Sequence, residues 1–358
     1  MTWDGPAAGE RVLLLAPHPD DETLAAGGLV QRALARQGEV VVVFATDGQN
    51  NPWTQRLVER RLRVGPEDCA RFGQRRRREA LAALAELGVP ADNAVFLGLP
   101  DGAITDVLLA GGESAVDRIE ALLLERRTTL LVAPCLFDLH PDHSALAVLV
   151  RLALARLEPA RRPALFSYLI HCVRRSPDAG APNGPAAVRF EPNEQEKERK
   201  RRAIRCHATQ LTVHRRKFLS TTERSEIFYR GEAAPELDGL HPVRRVRLDP
   251  DVLHLDLVLR PRLGAFGRPT LRLAAGRPGQ RQSLSFPLRW RRGGADVKDL
   301  LTDATRGRAS LRGDRRGGIV EVPVQALPGA GPIYVKLERR FGFFDEGGWL
   351  EVGDPHRP

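Results

Sequence analysis

Two short polar clusters hold the residues of this sequence that are best suited to catalysis or metal binding. One reads HPDDE at residues 18–22 and follows the apolar run 11–16; the other reads DLHPDH at residues 138–143 and follows the run 128–135. Imidazole and carboxylate groups form the ligand sets of zinc-type sites, and a catalytic zinc keeps one coordination position open for water. The two clusters therefore indicate a centre for a divalent metal.

The spacing inside each cluster brings potential ligands together. His18 and Asp21 are three residues apart, as are His140 and His143, and residues at this spacing lie on the same side of a helix. A proline between the last two suits the first position of a helix, so that His140 is expected at the cap and His143 in the first turn. Simpler alternatives remain open at this point: Asp20 or Asp21 can act only as a helix N-cap, and His140 only as a cap.

The elements that must position these clusters are predicted from the apolar pattern. Short apolar runs predict strands at 11–16, 39–48, 93–102, 128–135 and 164–171. Between them, helical patterns occupy 23–38, 75–88, 114–127 and 144–157. This alternation predicts an α/β fold with an open, doubly wound, mostly parallel sheet. Ligands of such sheets bind outside the carboxyl ends of the strands, where both clusters and the Thr46-Asp47-Gly48 loop are expected to converge.

The sequence changes character near residues 240–245. Beyond this point, short runs with alternating apolar residues are separated by glycine and proline, as in the segments 243–263, 269–275, 282–290, 317–327 and 331–341. This pattern is typical of a smaller all-β, sandwich-like module. We therefore expect two domains, 1–242 and 243–358. The segment 49–74 is long for a strand–helix connection and is either a substrate-shaping insertion or surface decoration.

The composition of the chain indicates which classes of molecule it binds. The formal net charge is +10, yet of the 55 basic residues only five are Lys and 50 are Arg, a bias that fits a GC-rich genome better than a nucleic-acid-binding surface. Arginine also suits anionic small substrates, because its planar fork matches phosphate. Residues 1–10 lack the basic and apolar regions of a signal peptide, so none is expected, and the longest apolar runs fall short of about 18 residues. We expect a cytoplasmic protein with no membrane span and no nucleic-acid partner; homo-oligomerisation is left open.

The two clusters together carry a resemblance. APHPDDE with FDLHPDH resembles the LmbE/PIG-L family of zinc-dependent N-acetylglucosaminyl deacetylases, over roughly residues 11–215. Weaker similarities occur in the same order: the Gly27-Gly28 pair, ATDG, EALAALAELG, LGLPDG and KRRAIRCHATQ. The resemblance implies a Rossmann-like fold with the metal at the C-terminal edge of the sheet, in agreement with the placement expected from the strand pattern.

The resemblance also implies roles for individual residues. It implies that the metal ligands are His18, Asp21 and His143. It also implies that Asp20 is the general base and that His140 is the acidic or oxyanion-stabilising residue. The supporting residues would be Asp138 and Asp142. Zn²⁺ is the expected cofactor, with Fe²⁺ or another divalent metal as alternatives. Family members carry an arginine near the run 75–78. Candidate substrate contacts are therefore Arg75 and Arg78, together with Asp47, for which a turn-capping role is the alternative.

The expected activity is metal-dependent removal of an N-acetyl group from an N-acetylated amino sugar or its conjugate. Zinc lowers the pKa of bound water toward ~7 and polarises the carbonyl, which makes an amide hydrolysable. The expected substrate is an N-acetylated amino sugar or glycoconjugate, with phosphate-bearing conjugates included. Two alternatives remain: an amidase acting on another N-acyl natural-product or glycolipid intermediate, and a non-catalytic carbohydrate- or polyanion-binding protein.

Overall fold

A computed structural model describes residues 2–172, 187–231, 241–259, 269–275, 282–327, 331–338 and 344–353 of the 358-residue chain. The predicted β segments 243–263 and 331–341 therefore extend, at 260–263 and 339–341, outside the described residues. In the described ranges the helices are α1 Asp21–Ala35, α2 Pro52–Glu59, α3 Pro66–Leu87, α4 Ile104–Leu109, α5 Glu113–Glu125, α6 Pro141–Arg156, α7 Glu194–Cys206 and α8 Ala208–Leu219.

The first sheet contains eight strands. They are β1 Thr2–Trp3, β2 Arg11–Ala16, β3 Glu39–Thr46, β4 Ala94–Leu99, β5 Leu130–Pro134, β6 Ala164–Tyr168, β7 Ala187–Phe190 and β8 Glu226–Arg230. Their spatial order is β1-β7-β8-β6-β5-β2-β3-β4, and β2 pairs in parallel with both β3 and β5. The chain adds β3 and β4 on one side of β2 and then β5 and β6 on its other side, so the strand order reverses between β2 and β5. The predicted mostly parallel sheet is confirmed; β8 makes antiparallel pairs with β6 and β7.

The central strands are apolar because both of their faces are covered. Along β2, Val12 and Leu14 pack in a core that includes residues of α1, α3 and α7. Leu13 and Leu15 point the other way, into a core formed with α4, α5 and α6. This two-sided burial explains the continuous apolar runs in the sequence, since a parallel sheet covered by helices has no polar face.

Helix α1, which starts at the first cluster, packs unusually closely against its neighbours. A Cβ atom on Gly28 would lie 2.7 Å from Pro192 Cγ, so that only glycine fits. The Gly28 N–H donates to Glu226 Oε1 at 2.7 Å, and the buried Lys200 Nζ donates to the same oxygen at 2.7 Å. The helix departs from helical geometry at Ala26. The glycine pair thus allows α7 and β8 to hold the helix that carries the first cluster.

The second sheet is antiparallel throughout. Its strands are β9 Val243–Leu248, β10 Val252–Val258, β11 Thr270–Ala275, β12 Gln282–Pro287, β13 Gly294–Asp299, β14 Thr305–Asp314, β15 Gly317–Pro323, β16 Ile333–Glu338 and β17 Leu350–Gly353. The order is β17-β16-β11-β12-β13-β14-β15-β10-β9, and the two terminal strands, β17 and β9, contact each other. The predicted all-β module is confirmed. Its strands form one continuous sheet that curves around a single core, where the sequence led us to expect a sandwich.

The two sheets share part of their packing. Tyr334 and Trp349 of the second sheet's region belong to the apolar core that covers β5 and α6 of the first. The Trp349 N–H donates to the Leu136 carbonyl at 2.8 Å. The division into domains at 242/243 remains a prediction; the first sheet ends at Arg230 and the second begins at Val243.

The long connection after β3 is largely helical. Residues 49–74 form α2 and the beginning of α3, which starts at Pro66, nine residues before the predicted helix start at residue 75. Pro66 occupies the first turn of α3, where its missing N–H is not needed. Among the described residues, none of the helices combines the length and apolar character that crossing a membrane requires.

Candidate functional site

The two polar clusters meet at the point where the strand order reverses. His18 lies between β2 and α1, and His140 lies between β5 and α6, so neighbouring parallel strands deliver both to one edge. Their rings are 4.8 Å apart, and the His18 and His143 rings are 5.3 Å apart. This is the crevice in which open α/β sheets bind ligands.

Three side chains converge on one small volume. Asp21 Oδ2 lies 3.3 Å from His18 Nδ1 and 3.2 Å from His143 Nε2. One ligand atom from each of these residues lies within 4.8 Å of the others, and all three residues are buried. Although Asp21 Oδ2 lies 3.2 Å away, the buried His143 Nε2 forms no hydrogen bond with a described residue. Two imidazole nitrogens and one carboxylate oxygen are therefore close enough to bind the same divalent cation, which would satisfy His143 Nε2.

Carboxylates on the far side of each imidazole hold the rings in place. Asp138 Oδ2 lies 3.1 Å from His143 Nδ1. Asp142 Oδ2 lies 3.3 Å from His18 Nε2, and Asp101 Oδ1 lies 3.1 Å from the same nitrogen. Such partners fix the orientation and tautomer of metal-binding histidines. The structure thus places Asp138 and Asp142 where supporting residues are needed.

Asp101 was not singled out from the sequence. It follows β4 within the segment LGLPDG, at the same sheet edge as the other polar loops. The strand-end rule could have found it, because it is the acidic residue at the end of a third parallel strand. The Gly102 N–H next to it donates to Asp142 Oδ2 at 2.7 Å, which joins this loop to the second cluster.

The charge of the site favours a cation. Burial lowers the pKa of His143, but Asp21 and Asp138 outweigh this effect and raise it to about 9. Burial raises the pKa of Asp21, and the neighbouring His143 and His18 reverse this and hold it well below its usual range. The acidic groups therefore stay ionised and attract positive charge at the point where the three ligand atoms meet.

Asp20 occupies a strained position beside this volume. Its φ of 135° lies in a region that non-glycine residues rarely adopt. Its N–H donates to Glu22 Oε2 at 2.9 Å, and the buried Glu22 lies 3.2 Å from His207 Nε2. Burial raises the pKa of Asp20 to about 6, a shift opposed by Arg76 and supported by Asp21. Glu22 therefore supports the backbone that presents the Asp20 carboxylate.

One arginine of the basic run reaches the site, and it is Arg76. Its guanidinium donates to Asp20 Oδ2 at 3.1 Å, to the Pro19 carbonyl at 2.6 Å and to the Gly48 carbonyl at 3.0 Å. The buried Arg76 therefore links the first cluster to the loop after β3.

The three predicted substrate contacts have other surroundings. Arg75 lies 3.4 Å from Glu79 on the same helix, and Arg78 is exposed and donates to the Gln74 carbonyl. Asp47 lies 3.6 Å from Arg77. Substrate contact by Arg75, Arg78 and Asp47 stays a prediction, and the structure adds no support for it.

His140 combines a capping role with a place at the site. It is the N-cap of α6, and its Nδ1 accepts the Asp142 N–H at 3.2 Å. Burial lowers its pKa, and the positive charges of His18 and His143 lower it further. We therefore assign a neutral imidazole that carries its proton on Nε2, since Nδ1 is an acceptor.

Part of the chain is similar in sequence to known proteins. Residues 13–154 match the family model PIG-L, described as GlcNAc-PI de-N-acetylase. Proteins from Streptomyces avermitilis and Kribbella flavida, both named 1D-myo-inositol 2-acetamido-2-deoxy-alpha-D-glucopyranoside deacetylase, are 32% and 29% identical to it. The first match covers 43% of this chain and 56% of that relative, and the second covers 64% and 95%.

Most of these matches cover only part of the relative, and the matches to solved structures are distant in sequence. The chain spans between 30% and 56% of the length of the first three curated relatives it matches. Among solved structures, a deacetylase–teicoplanin complex from teicoplanin biosynthesis has a TM-score of 0.47 and 21% sequence identity, covering 62% of this chain and 97% of that one.

Proposed function

This chain contains a PIG-L family domain at residues 13–154, and from that premise we propose that it is a metal-dependent hydrolase acting on the N-acetyl group of an amino sugar or its conjugate. The observation that carries the proposal is the convergence of His18, Asp21 and His143 on one buried volume, with the buried Asp20 adjacent in sequence to Asp21. An acceptor next to a metal site, but outside its ligand set, is what hydrolysis of an amide requires.

His18 Nδ1, Asp21 Oδ2 and His143 Nε2 would hold the metal. A divalent metal bound there supplies Lewis-acid polarisation of the amide carbonyl and a lowered pKa for water. Zinc suits the two imidazoles and one carboxylate, and Fe²⁺ suits the same donors. The choice of metal is part of the proposal and is decided by elemental analysis.

Asp20 would take the proton from the attacking water. A carboxyl group whose pKa is about 6 is mostly ionised at neutral pH, yet it binds a proton more strongly than an ordinary aspartate. Arg76 holds the carboxylate through a 3.1 Å hydrogen bond. As the water oxygen bonds to the carbonyl carbon, the proton moves to Asp20.

His140 would stabilise the oxygen that gains negative charge. Its neutral ring can donate the Nε2 proton, and a donor of this kind contributes ~100- to 1,000-fold to the rate. When the C–N bond breaks, Asp20 returns its proton to the leaving nitrogen. The products are acetate and the free amino sugar, and Asp20 is ionised again for the next cycle.

The relatives' names supply the substrate class that we propose. Those proteins are named as deacetylases of a glucopyranoside with a 2-acetamido group and an inositol aglycone. By extension, the substrate of this chain carries a 2-acetamido sugar joined to a second group. A panel should vary that second group while it keeps the acetamido sugar.

The test combines metal content with product release. We expect the purified protein to hold about one equivalent of divalent metal and to release acetate from at least one member of an N-acetylglucosamine conjugate panel. Release from non-sugar N-acetyl compounds alone would contradict the sugar assignment. A metal-free protein that binds glycans and releases no acetate would contradict the hydrolase assignment altogether.

A further inference from the structure

A segment of the second sheet's region reaches the candidate site. Residues 344–349 precede β17 and lie against the loop that carries Asp138 and His140. The Asp345 N–H donates to the Leu139 carbonyl at 2.8 Å, and the Trp349 N–H donates to the Leu136 carbonyl at 2.8 Å. The two backbone hydrogen bonds hold this segment on both sides of Asp138.

The segment is anchored by a buried ion pair. Lys336 Nζ on β16 lies 2.5 Å from Asp345 Oδ2, and the two side chains are 1% and 9% exposed. Trp349 is fully buried, and its ring lies 5.7 Å from Lys336 Nζ. Gly348 has a φ of +70°, and a Cβ there would lie 2.3 Å from the Leu136 carbonyl oxygen. The close approach of the two backbones therefore depends on glycine.

This anchoring places Phe344 next to two histidines, His140 of the second cluster and His171, which follows β6. The Phe344 ring centroid lies 6.2 Å from that of His140 and 5.3 Å from that of His171. The side chain is 45% exposed. The ring therefore lies close to His140 and His171, while nearly half of the residue is accessible to solvent.

We propose that segment 344–349 completes the substrate site and that the Phe344 ring contacts the C–H-rich part of the substrate next to the scissile amide. The inference rests on the proposed function, which puts the amide carbonyl beside His140. An aromatic ring binds C–H surfaces through dispersion and burial of apolar area, and it loses little conformational freedom in doing so. The second sheet thereby contributes to substrate selection.

Two parts of an N-acyl amino sugar offer the C–H surface that this ring would contact. One is the face of the pyranose ring, and the other is the acyl chain. Methyl 2-acetamido-2-deoxy-glucopyranoside and its N-butyryl analogue distinguish them. If the ring contacts the pyranose, Phe344→Ala lowers kcat/KM for both compounds by a similar factor. If it contacts the acyl chain, the loss is larger for the N-butyryl compound.

The chain offers a matched control. Ile319 on β15 is also 45% exposed and belongs to the second sheet. With the metal-loaded full chain, we expect Phe344→Ala to raise KM by roughly 10-fold. Metal content and the thermal midpoint should stay unchanged. Phe344→Tyr should retain the parent KM, and so should Ile319→Ala. A Phe344→Ala variant with the same kinetic constants as Ile319→Ala would overturn the inference.

A binding experiment separates this inference from the proposed function. Saturation-transfer NMR measures binding of the methyl glycoside without requiring turnover. If the parent binds the glycoside but releases acetate from no member of the conjugate panel, the proposed function fails, and loss of binding in Phe344→Ala still supports the Phe344 contact. Equal binding by the parent and Phe344→Ala overturns the contact. Failure of the parent to bind both the methyl glycoside and its N-butyryl analogue overturns it as well.

Discussion

Replacing Asp20 with asparagine tests the proposed mechanism most directly. The amide has the same size and shape as the carboxylate but cannot accept a proton from water. General-base catalysis contributes ~100- to 10,000-fold, so kcat should fall by a factor in that range. The fall should lie toward the upper end, because Asp20 is buried and its pKa of about 6 suits it for proton transfer near neutral pH.

The structure also indicates why this variant should remain folded and metal-bound. The three candidate ligands are His18, Asp21 and His143, so the Asp20→Asn substitution removes none of them. The N–H of residue 20 can still donate to Glu22, and the side-chain oxygen of asparagine can still accept from Arg76. Aspartate and asparagine share similar backbone preferences at positive φ, so the substitution adds no backbone strain at the φ of 135°.

The assay measures acetate release under substrate saturation, together with metal content by elemental analysis. Asp92→Asn makes the same chemical change at an exposed position and serves as the control. Retention of more than about a tenth of the parent kcat, with full metal content, would refute the general-base role. Loss of metal together with activity would instead assign Asp20 to the ligand set.

The remaining predictions concern the metal, the packing and the effect of pH. His143→Ala should lower bound metal by at least tenfold by elemental analysis, whereas the exposed His214→Ala should keep it; equal metal content in both would exclude His143 as a ligand. Gly28→Ala should reduce the free energy of unfolding by ~1–3 kcal/mol in denaturant titrations, because the new methyl would meet a proline carbon at 2.7 Å. Gly65→Ala, whose methyl meets nothing closer than 3.9 Å, is its control. Burial lowers the pKa of His241 from 6.5 to about 4, so the unfolded chain binds a proton that the folded chain resists. Stability should therefore fall as the pH drops from 6.5 toward 4, with a contribution from His241 of at most about 3 kcal/mol, which His241→Gln should remove.

Much of the first sheet could be predicted from the sequence because its signals are local. A parallel strand covered by helices on both faces must be apolar along its buried length, and residues 12–16 and 130–135 meet this condition. The rule that ligands bind at the carboxyl ends of such strands then places the following residues at one edge. His18 and His143 could thus be expected near each other although 125 positions separate them in the sequence.

The direction in which each residue of a helix faces could not be predicted in this way. Four consecutive arginines occupy residues 75–78, and only the position of α3 against the first cluster brings Arg76 to Asp20. Successive helical residues differ by ~100° in direction, so neighbours in sequence face different surroundings. The sequence prediction of Arg75 and Arg78 as substrate contacts could not include this packing.

Distant contacts were likewise invisible to sequence patterns. The sandwich expected for residues 243–358 differs from the single curved sheet, because alternating strands specify a buried face without specifying which strands pair. The contact of Phe344 with His140 joins positions about 200 residues apart through backbone hydrogen bonds, which leave no compositional trace.

The sequence by itself determined the chemistry available at one sheet edge: two histidine–acid clusters, each following a buried strand. Residue type and local periodicity are sufficient for that, since they govern secondary structure and the ends of strands. The tertiary structure decided which acid supports which imidazole, which arginine faces Asp20, and which residues of the second sheet reach the site. Those choices depend on the packing of segments far apart in the chain, where a shift of one residue changes every partner.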